Sequence, residues 1–574
     1  MLLVAGLARF IRLHAWPLTD SEAEHALTAA MNTQNGSDFW MMDFDMGTQS
    51  PLYNLMTRTL FQIFGASDLT ARLAPALAGF FLLVVLLILY REDRAGLRLI
   101  WLFLLSFSPI LLTSSRIANG AIFAAASLFP IFIILTWKDV RDASSPYLIM
   151  ALFAGIALST GSAVFKAVTS IALAFLVALL IQRDRFHEIV QKVSWTEIRK
   201  VFWLIPVVAL LVLSGFGSSL EGMRGFARAL EEWLFGWVRP SEYSFLELTV
   251  FLFTSDPLIV LFGIFGSVRF WRKRDDPGWL ISLWAISAWA LLLIYPGRVP
   301  FDLIWIILPL SYLAAHGVLE LFEAVGDLRS NLELIGLLGL LITFIASGAL
   351  SLVAYGSGNV LTINPNNPNL VLFLFLALAV MGLSVLVFFG VGWSWNVVLH
   401  ATGILALVLS IAQGISTLWR LNYSREGHKV GDLWWQTVPS EGLPLLVQSL
   451  EHTAMAYSGQ RDTLPIDLQD DASASMAWAL RGFELVQGEV AFGVEAPPVI
   501  IAQEDAASPF LPADYIGQSL GIRATRAWDS ALPPELLKWW IGREVPVTIE
   551  PWILWVRADV ASFGELGFEN EELN

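Results

Sequence analysis

Four ionisable side chains fall together at the end of the first apolar run: Asp20, Glu22, Glu24 and His25, a few residues after Pro17. Carboxylates beside a low-dielectric boundary have raised pKa values and strengthened fields. The set therefore suits a general base acting on an acceptor hydroxyl, or a hold on a divalent cation. The competing account is structural, because Asp20 also makes a good N-cap and acids suit the positive end of a helix dipole.

A second group is basic. Arg58, Arg72, Arg116 and Arg298 lie between or at the ends of apolar runs, and Lys166 lies inside one. A charge at membrane depth is costly and marks a functional site by default. The phosphate or pyrophosphate of a lipid carrier would supply the counter-charge, and arginine can grip it through two parallel bonds. Pairing with Asp68, Glu92 or a backbone carbonyl, or snorkelling to the headgroups, is the alternative for Arg58 and Arg72. Arg298, in YPGRVP between two apolar runs, is the stronger phosphate ligand, and Lys166 reads as structural or snorkelling. His14, His316 and His400 stand alone on apolar segments, so no metal site is assigned. A divalent metal is compatible with the first-loop acids but no ligand cluster indicates one, and the cofactor is left unknown. With no cysteine in the chain, disulfides and thiolate chemistry are absent.

The elements that must position these residues are membrane helices. Over 574 residues the chain is 56 % hydrophobic and 15 % charged, with a mean hydropathy of +0.64. That is too apolar for a soluble globule. A helix needs about 20 apolar residues to cross a bilayer core, and apolar runs predict about thirteen spans. They cover roughly 1–16, 69–90, 97–113, 119–137, 147–160, 163–182, 201–220, 245–268, 278–295, 301–322, 332–354, 369–390 and 396–417. The intervening loops 91–98, 138–146, 183–200 and 269–277 concentrate Arg and Lys, which places them inside. The same parity places loop 17–68, segment 221–244, turn 296–300 and the C-terminal domain outside. Within 17–68, residues 21–33 and 51–64 have the spacing of helices lying along the membrane surface.

Residues 1–417 thus read as an all-α polytopic membrane domain, and 418–574 as a small extracytoplasmic domain. In the latter, helical patterns (444–452, 473–481, 533–541) alternate with strand-like runs (464–468, 498–502, 551–557), which predicts an α/β fold. From Arg420 onward 23 acidic residues face 10 basic ones. That balance argues against nucleic acid and against docking on anionic lipid, and leaves membrane lipid and a partner protein docking on this domain as the partners to expect. No inverted repeat suggests a transporter.

The run Pro17-Leu18-Thr19-Asp20-Ser21-Glu22-Ala23, then Ser50-Pro51-Leu52-Tyr53-Asn54, then Phe64 to Ala76, then Ser108-Pro109 with Ser115-Arg116, resembles the GT-C membrane glycosyltransferases in order and spacing. The likeness is to the dolichyl-phosphate-mannose mannosyltransferase-like group, glycosyltransferase family 39, and most to its flippase-activity-associated branch. Tyr295 to Phe301 followed by Leu308-Pro309-Leu310, and Trp539-Trp540 with Arg543, fit that branch too. The resemblance implies transfer of a sugar, with inversion, from a polyprenyl-phosphate donor to an acceptor at the outer face of the plasma (cytoplasmic) membrane. On it, Asp20 is the base, Glu22 supports it, and Arg116 and Arg298 face the phosphate, with Arg58 and Arg72 as further substrate contacts. The sequence departs from the family pattern in three places. Ser21 stands where the group has aspartate, Ala121 where a second acid is expected, and Gly161-Ser162 where it has a Lys-Glu pair. A catalytically degenerate protein of the same fold, binding a lipid-linked glycan or a partner enzyme, is therefore the alternative.

Overall fold

The computed structural model describes residues 1–31, 50–90, 95–136, 144–183, 195–217, 221–273, 276–326, 332–356, 368–424, 430–468, 472–486, 496–504, 511–536, 539–540 and 543–561. The middle of loop 17–68 lies outside them, as do Arg91, Arg94, Lys138, Arg141, Lys192 and Arg274 of the basic loops.

The protein is a multi-pass membrane protein whose apolar helices lie on the predicted spans. Among the described residues six helices are long and apolar enough to cross a bilayer: Asp68–Leu89, Ser162–Ile181, Pro300–Glu323, Leu332–Ala354, Val371–Gly392 and Trp395–Asn422. Ala95–Phe107, Ala121–Leu135, Pro146–Ala157 and Gly278–Ile294 are apolar but shorter. Four predicted spans differ from what the structure shows. Among the described residues the first is a helix from Leu2 to Phe10, and the run 201–220 is helical over Leu204–Leu213, with Val201 ending a separate short helix, Trp195–Val201. The run 245–268 is not straight, for Phe245–Ser255 and the helix starting at Pro257 meet at 94°. Proline has no N–H and disfavours helical geometry in the residue before it, so the chain turns at Asp256. Asp256 is itself used there, its Oδ2 accepting from Ser108 Oγ at 2.9 Å and Ile110 N at 3.0 Å. A second break, at Ser108-Pro109, splits the predicted span 97–113 and is thereby tied to the first.

Trp101 is fully buried among Tyr90, Phe129, Phe132 and Tyr312, all edge-on, and its Nε1 donates to Ser311 Oγ at 2.8 Å. The helices Pro257–Lys273 and Ile304–Gly326 approach closely. A Cβ on Gly266 would lie 2.1 Å from the Leu313 carbonyl oxygen, so only glycine lets the backbones touch there. By contrast only 6 % of the Val371–Gly392 span is buried, and it packs on its neighbours through half-buried Val385, Leu386 and Phe389.

The last span runs on to Asn422, past the expected boundary at 417. Beyond it β1 (Thr437–Pro439), β2 (Pro465–Leu468), β3 (Glu484–Val486), β4 (Val499–Gln503), β5 (Tyr515–Arg526) and β6 (Val547–Arg557) form one mixed sheet in the order β1-β5-β6-β4-β2-β3. The helix Gly442–Ser458 buries Leu443, Leu446, Leu450 and Ala454 at helical spacing in the core it shares with this sheet. The small α/β domain is thus as expected, and three of its strands fall on the predicted runs. β5 was not legible because only Leu520 and Ile522 are buried along it, so apolar alternation in YIGQSLGIRATR is confined to LGIRA. The helix expected over 533–541 falls partly outside the described residues.

Candidate functional site

Beside the start of the helix Asp20–Met31 lies a cavity of about 480 Å³. The helices Asp20–Met31, Pro51–Phe64, Ala121–Leu135 and Ser162–Ile181 all begin on its wall, at Asp20, Ser50, Gly120 and Gly161. Four positive dipole ends therefore face one space, which favours an anion there. Local sequence makes this convergence possible. Ser50 caps its helix by accepting from Tyr53 N at 3.3 Å. A Cβ on Gly120 would lie 2.2 Å from the Ser50 Cβ, and Gly161 adopts a φ of +104°. Two glycines are thus what let three turns meet.

Asp20 lines the cavity, and so do Glu24 and His25. The Asp20 carboxylate is also held from the C-terminal domain. Its Oδ1 accepts from Ser475 N at 3.1 Å and Ser475 Oγ at 2.6 Å, and its Oδ2 from Arg523 Nη1 at 3.1 Å and Thr437 Oγ1 at 3.5 Å. His25 stands edge-on to Tyr53 at 5.8 Å. Burial drives its pKa down to about 4 despite the nearby Glu22 carboxylate, so it is neutral at pH 7.

Glu22 does not line the cavity. It is 1 % exposed and forks with Arg72, Oε1 to Nε and Oε2 to Nη2, both at 2.7 Å. It also accepts from Ala118 N at 2.9 Å, Thr19 N at 3.0 Å and Thr19 Oγ1 at 3.1 Å. Burial pushes its pKa up, but the Arg72 charge and these donors outweigh that and hold it at about 2. Reaching back to Thr19 N, Glu22 supplies one half of a capping box, so Thr19 and not Asp20 stands at the N-cap. Arg72 spends its remaining donors on the carbonyls of Leu13 (2.9 Å), Trp16 (2.8 Å) and Pro17 (3.1 Å). All five N–H groups are used, which leaves none for a phosphate.

No protein-family model and no curated protein sequence matches the chain. Among solved structures, ArnT from Cupriavidus metallidurans bound to undecaprenyl phosphate superposes over 97 % of each chain, with a TM-score of 0.53 at 16 % identity. The chain thus has a fold similar to that of ArnT along almost its whole length. The apo state of ArnT from the same source matches over 85 % of each chain, with a TM-score of 0.49 at 16 % identity.

Within this ArnT-like frame the other expected phosphate ligands divide. Arg116 is 7 % exposed and turned away from the cavity, donating to the carbonyls of Ala8 (2.8 Å), Arg9 (3.1 Å) and Asn422 (3.4 Å), with its guanidinium 4.9 Å from the Tyr423 ring. It ties the first helix to the last span because it is the donor those helix-end carbonyls need. Arg58, half-buried on Pro51–Phe64, does not line the cavity either. Arg298 fits better. Its Nε donates to Tyr295 O at 3.2 Å, its Nη groups have no partner among the described residues, and it lines a small recess that shares Lys166 and Asp302 with the main cavity.

Lys166, read from sequence as structural, faces this space in an ion pair. Its Nζ lies 2.9 Å from Asp302 Oδ2 and 3.0 Å from Gly297 O. Asp302, Gln436, Ser475 and Arg523 were missed. Asp302 carried a signal, an acid three residues after Val299 whose Oδ2 accepts Val299 N at 2.9 Å. Gln436 lines the cavity with its side-chain nitrogen buried and without a partner among the described residues. Among the described residues no group of three His, Asp or Glu side chains is placed to hold a metal.

Proposed function

We propose that this protein is a membrane glycosyltransferase that moves a sugar from a polyprenyl-phosphate carrier to an acceptor at the extracytoplasmic face of the plasma membrane. One observation carries the reading: a single cavity gathers Asp20, Lys166 and four helix N-termini, in a fold whose ArnT example holds undecaprenyl phosphate. Asp20 takes the proton of an acceptor hydroxyl, and the oxygen attacks the anomeric carbon from the face opposite the phosphate. The bond from that carbon to the phosphate oxygen breaks, configuration inverts, and polyprenyl phosphate leaves. Its charge is met by the free Nη groups of Arg298, by Lys166 and by the helix dipoles. Gln436 supplies an amide donor for a sugar hydroxyl.

A second reading, a GT-C-fold protein that binds a lipid-linked glycan or a partner enzyme without transfer, is favoured by the donors already on Asp20. Incubating the purified protein with a polyprenyl-phosphate sugar and a panel of hydroxyl acceptors separates the two. The expected result is glycosylated acceptor with matching release of polyprenyl phosphate, whereas lipid binding with no product would favour the second reading.

The reading needs the C-terminal domain outside. The chain is naturally free of cysteine, so Ser458→Cys and Ser144→Cys can be probed singly in intact cells with an impermeant maleimide. Ser458, exposed at the end of Gly442–Ser458, is expected to label and position 144 to stay protected. Protection at 458 would move the domain inside and remove the proposed geometry.

A further inference from the structure

We propose that Arg523 and Ser475, both from the C-terminal domain, are positioning residues for the Asp20 carboxylate, so that the outer domain completes the transfer site. The proposal rests on the reading of Asp20 as base. Two different elements hold one side chain from opposite ends: Ser475 takes Oδ1 at 2.6 Å and 3.1 Å, and Arg523 takes Oδ2 at 3.1 Å. Each holder is itself fixed. Arg523 forks onto Glu550, Nε to Oε2 at 3.0 Å and Nη2 to Oε1 at 2.7 Å, which sets the plane of its guanidinium. The register of β5 against β6 slips between Gly521 and Arg523, and a bulge of that kind re-aims the side chain beside it.

Ser475 belongs to the short helix Ala474–Ala479, and Trp478 of that helix donates to Asp68 Oδ1 at 2.7 Å and stacks on Phe61 at 5.9 Å. Arg481, just past it, donates to Ala66 O at 3.2 Å. These contacts already dock the domain on the membrane helices, and Arg526 adds a bond to each Glu247 oxygen, at 3.0 Å and 3.2 Å. Docking therefore does not require the grip on Asp20. What that grip adds is orientation, since an aspartate in the first turn of its helix can otherwise rotate toward water or the first N–H groups. A reacting group displaced by about 1 Å loses on the order of a hundredfold in rate.

Full-length protein in lipid nanodiscs tests this with Arg523→Met, Ser475→Ala and the double variant. The expected result is a kcat lowered about ten- to a hundredfold in the double variant, with KM for the polyprenyl-phosphate sugar within about twofold and the thermal midpoint retained. Arg523→Lys, which keeps a charged donor, should recover part of the loss. An undiminished kcat overturns the proposal. So does a loss of kcat that only follows a loss of folded protein. If the unsubstituted protein shows no turnover, the base role itself falls and the positioning role with it. Turnover lost in Asp20→Asn but kept in the double variant removes the positioning role alone.

Discussion

Asp20→Asn is expected to lower sugar transfer by about 10²–10⁴-fold, the range a positioned general base contributes. The amide keeps the size and one acceptor oxygen, so the bonds from Ser475 can survive. Its nitrogen cannot accept the acceptor's proton or the Arg523 bond. Because Asp20 joins two domains, the thermal midpoint must be read beside the rate. Both Trp478–Asp68 and Arg526–Glu247 remain in the variant, so most of the folded state should persist. Wild-type turnover in Asp20→Asn would take the base assignment away and turn attention to Glu24, the other first-loop carboxylate on the cavity wall.

Glu22→Gln should act on the fold and not on the chemistry, with a loss of about 3–5 kcal/mol, the cost of breaking a buried ion pair from one side. The size follows from the site. Arg72 would keep its three carbonyl acceptors but lose its counter-charge in a region where both partners are almost wholly buried. The pH dependence has the same origin. Glu22 sits at about 2 in the folded protein against 4.5 when free, so the stability it contributes is full above about pH 4.5 and is lost as pH falls toward 2. The gap amounts to about 3 kcal/mol. Thermal unfolding in detergent from pH 7 down to pH 3 should show this acid loss in the wild type and a flatter profile in Glu22→Gln. Replacing the pair together, Glu22→Leu with Arg72→Met, should not restore the midpoint, because it also removes the donor from the Leu13 and Pro17 carbonyls and the acceptor from the Thr19 and Ala118 N–H groups. An unchanged midpoint in Glu22→Gln would mean that the fork with Arg72 carries no weight.

Part of the division of labour between the first-loop acids was already written in their spacing. Residues four apart share a helix face, so Asp20 and Glu24 look the same way, while Glu22 points about 200° round. Thr19 and Glu22 also stand at capping-box spacing. The motif was visible, but the pairing of roles needed the 3.6-residue period applied to it. Arg116 and Arg298 show the limit of position along the chain. Both flank apolar runs, yet one is consumed by carbonyls of two distant helix ends and the other keeps free donors beside the cavity.

The sequence by itself determined that the chain lives in a bilayer, where its apolar helices lie, and that an acidic α/β domain follows them. Those properties come from composition and from periodicity within single elements, which act locally. Only the tertiary structure decided that Glu22 closes on Arg72 across 50 residues, that Lys166 meets Asp302, and that Arg523 reaches Asp20 across 503. A buried charge takes whichever partner packing brings within about 3 Å, because desolvation makes any unpaired alternative costly. That choice depends on how distant elements approach one another, and the approach was opened here by glycines at 120 and 161 and by a bulge in β5.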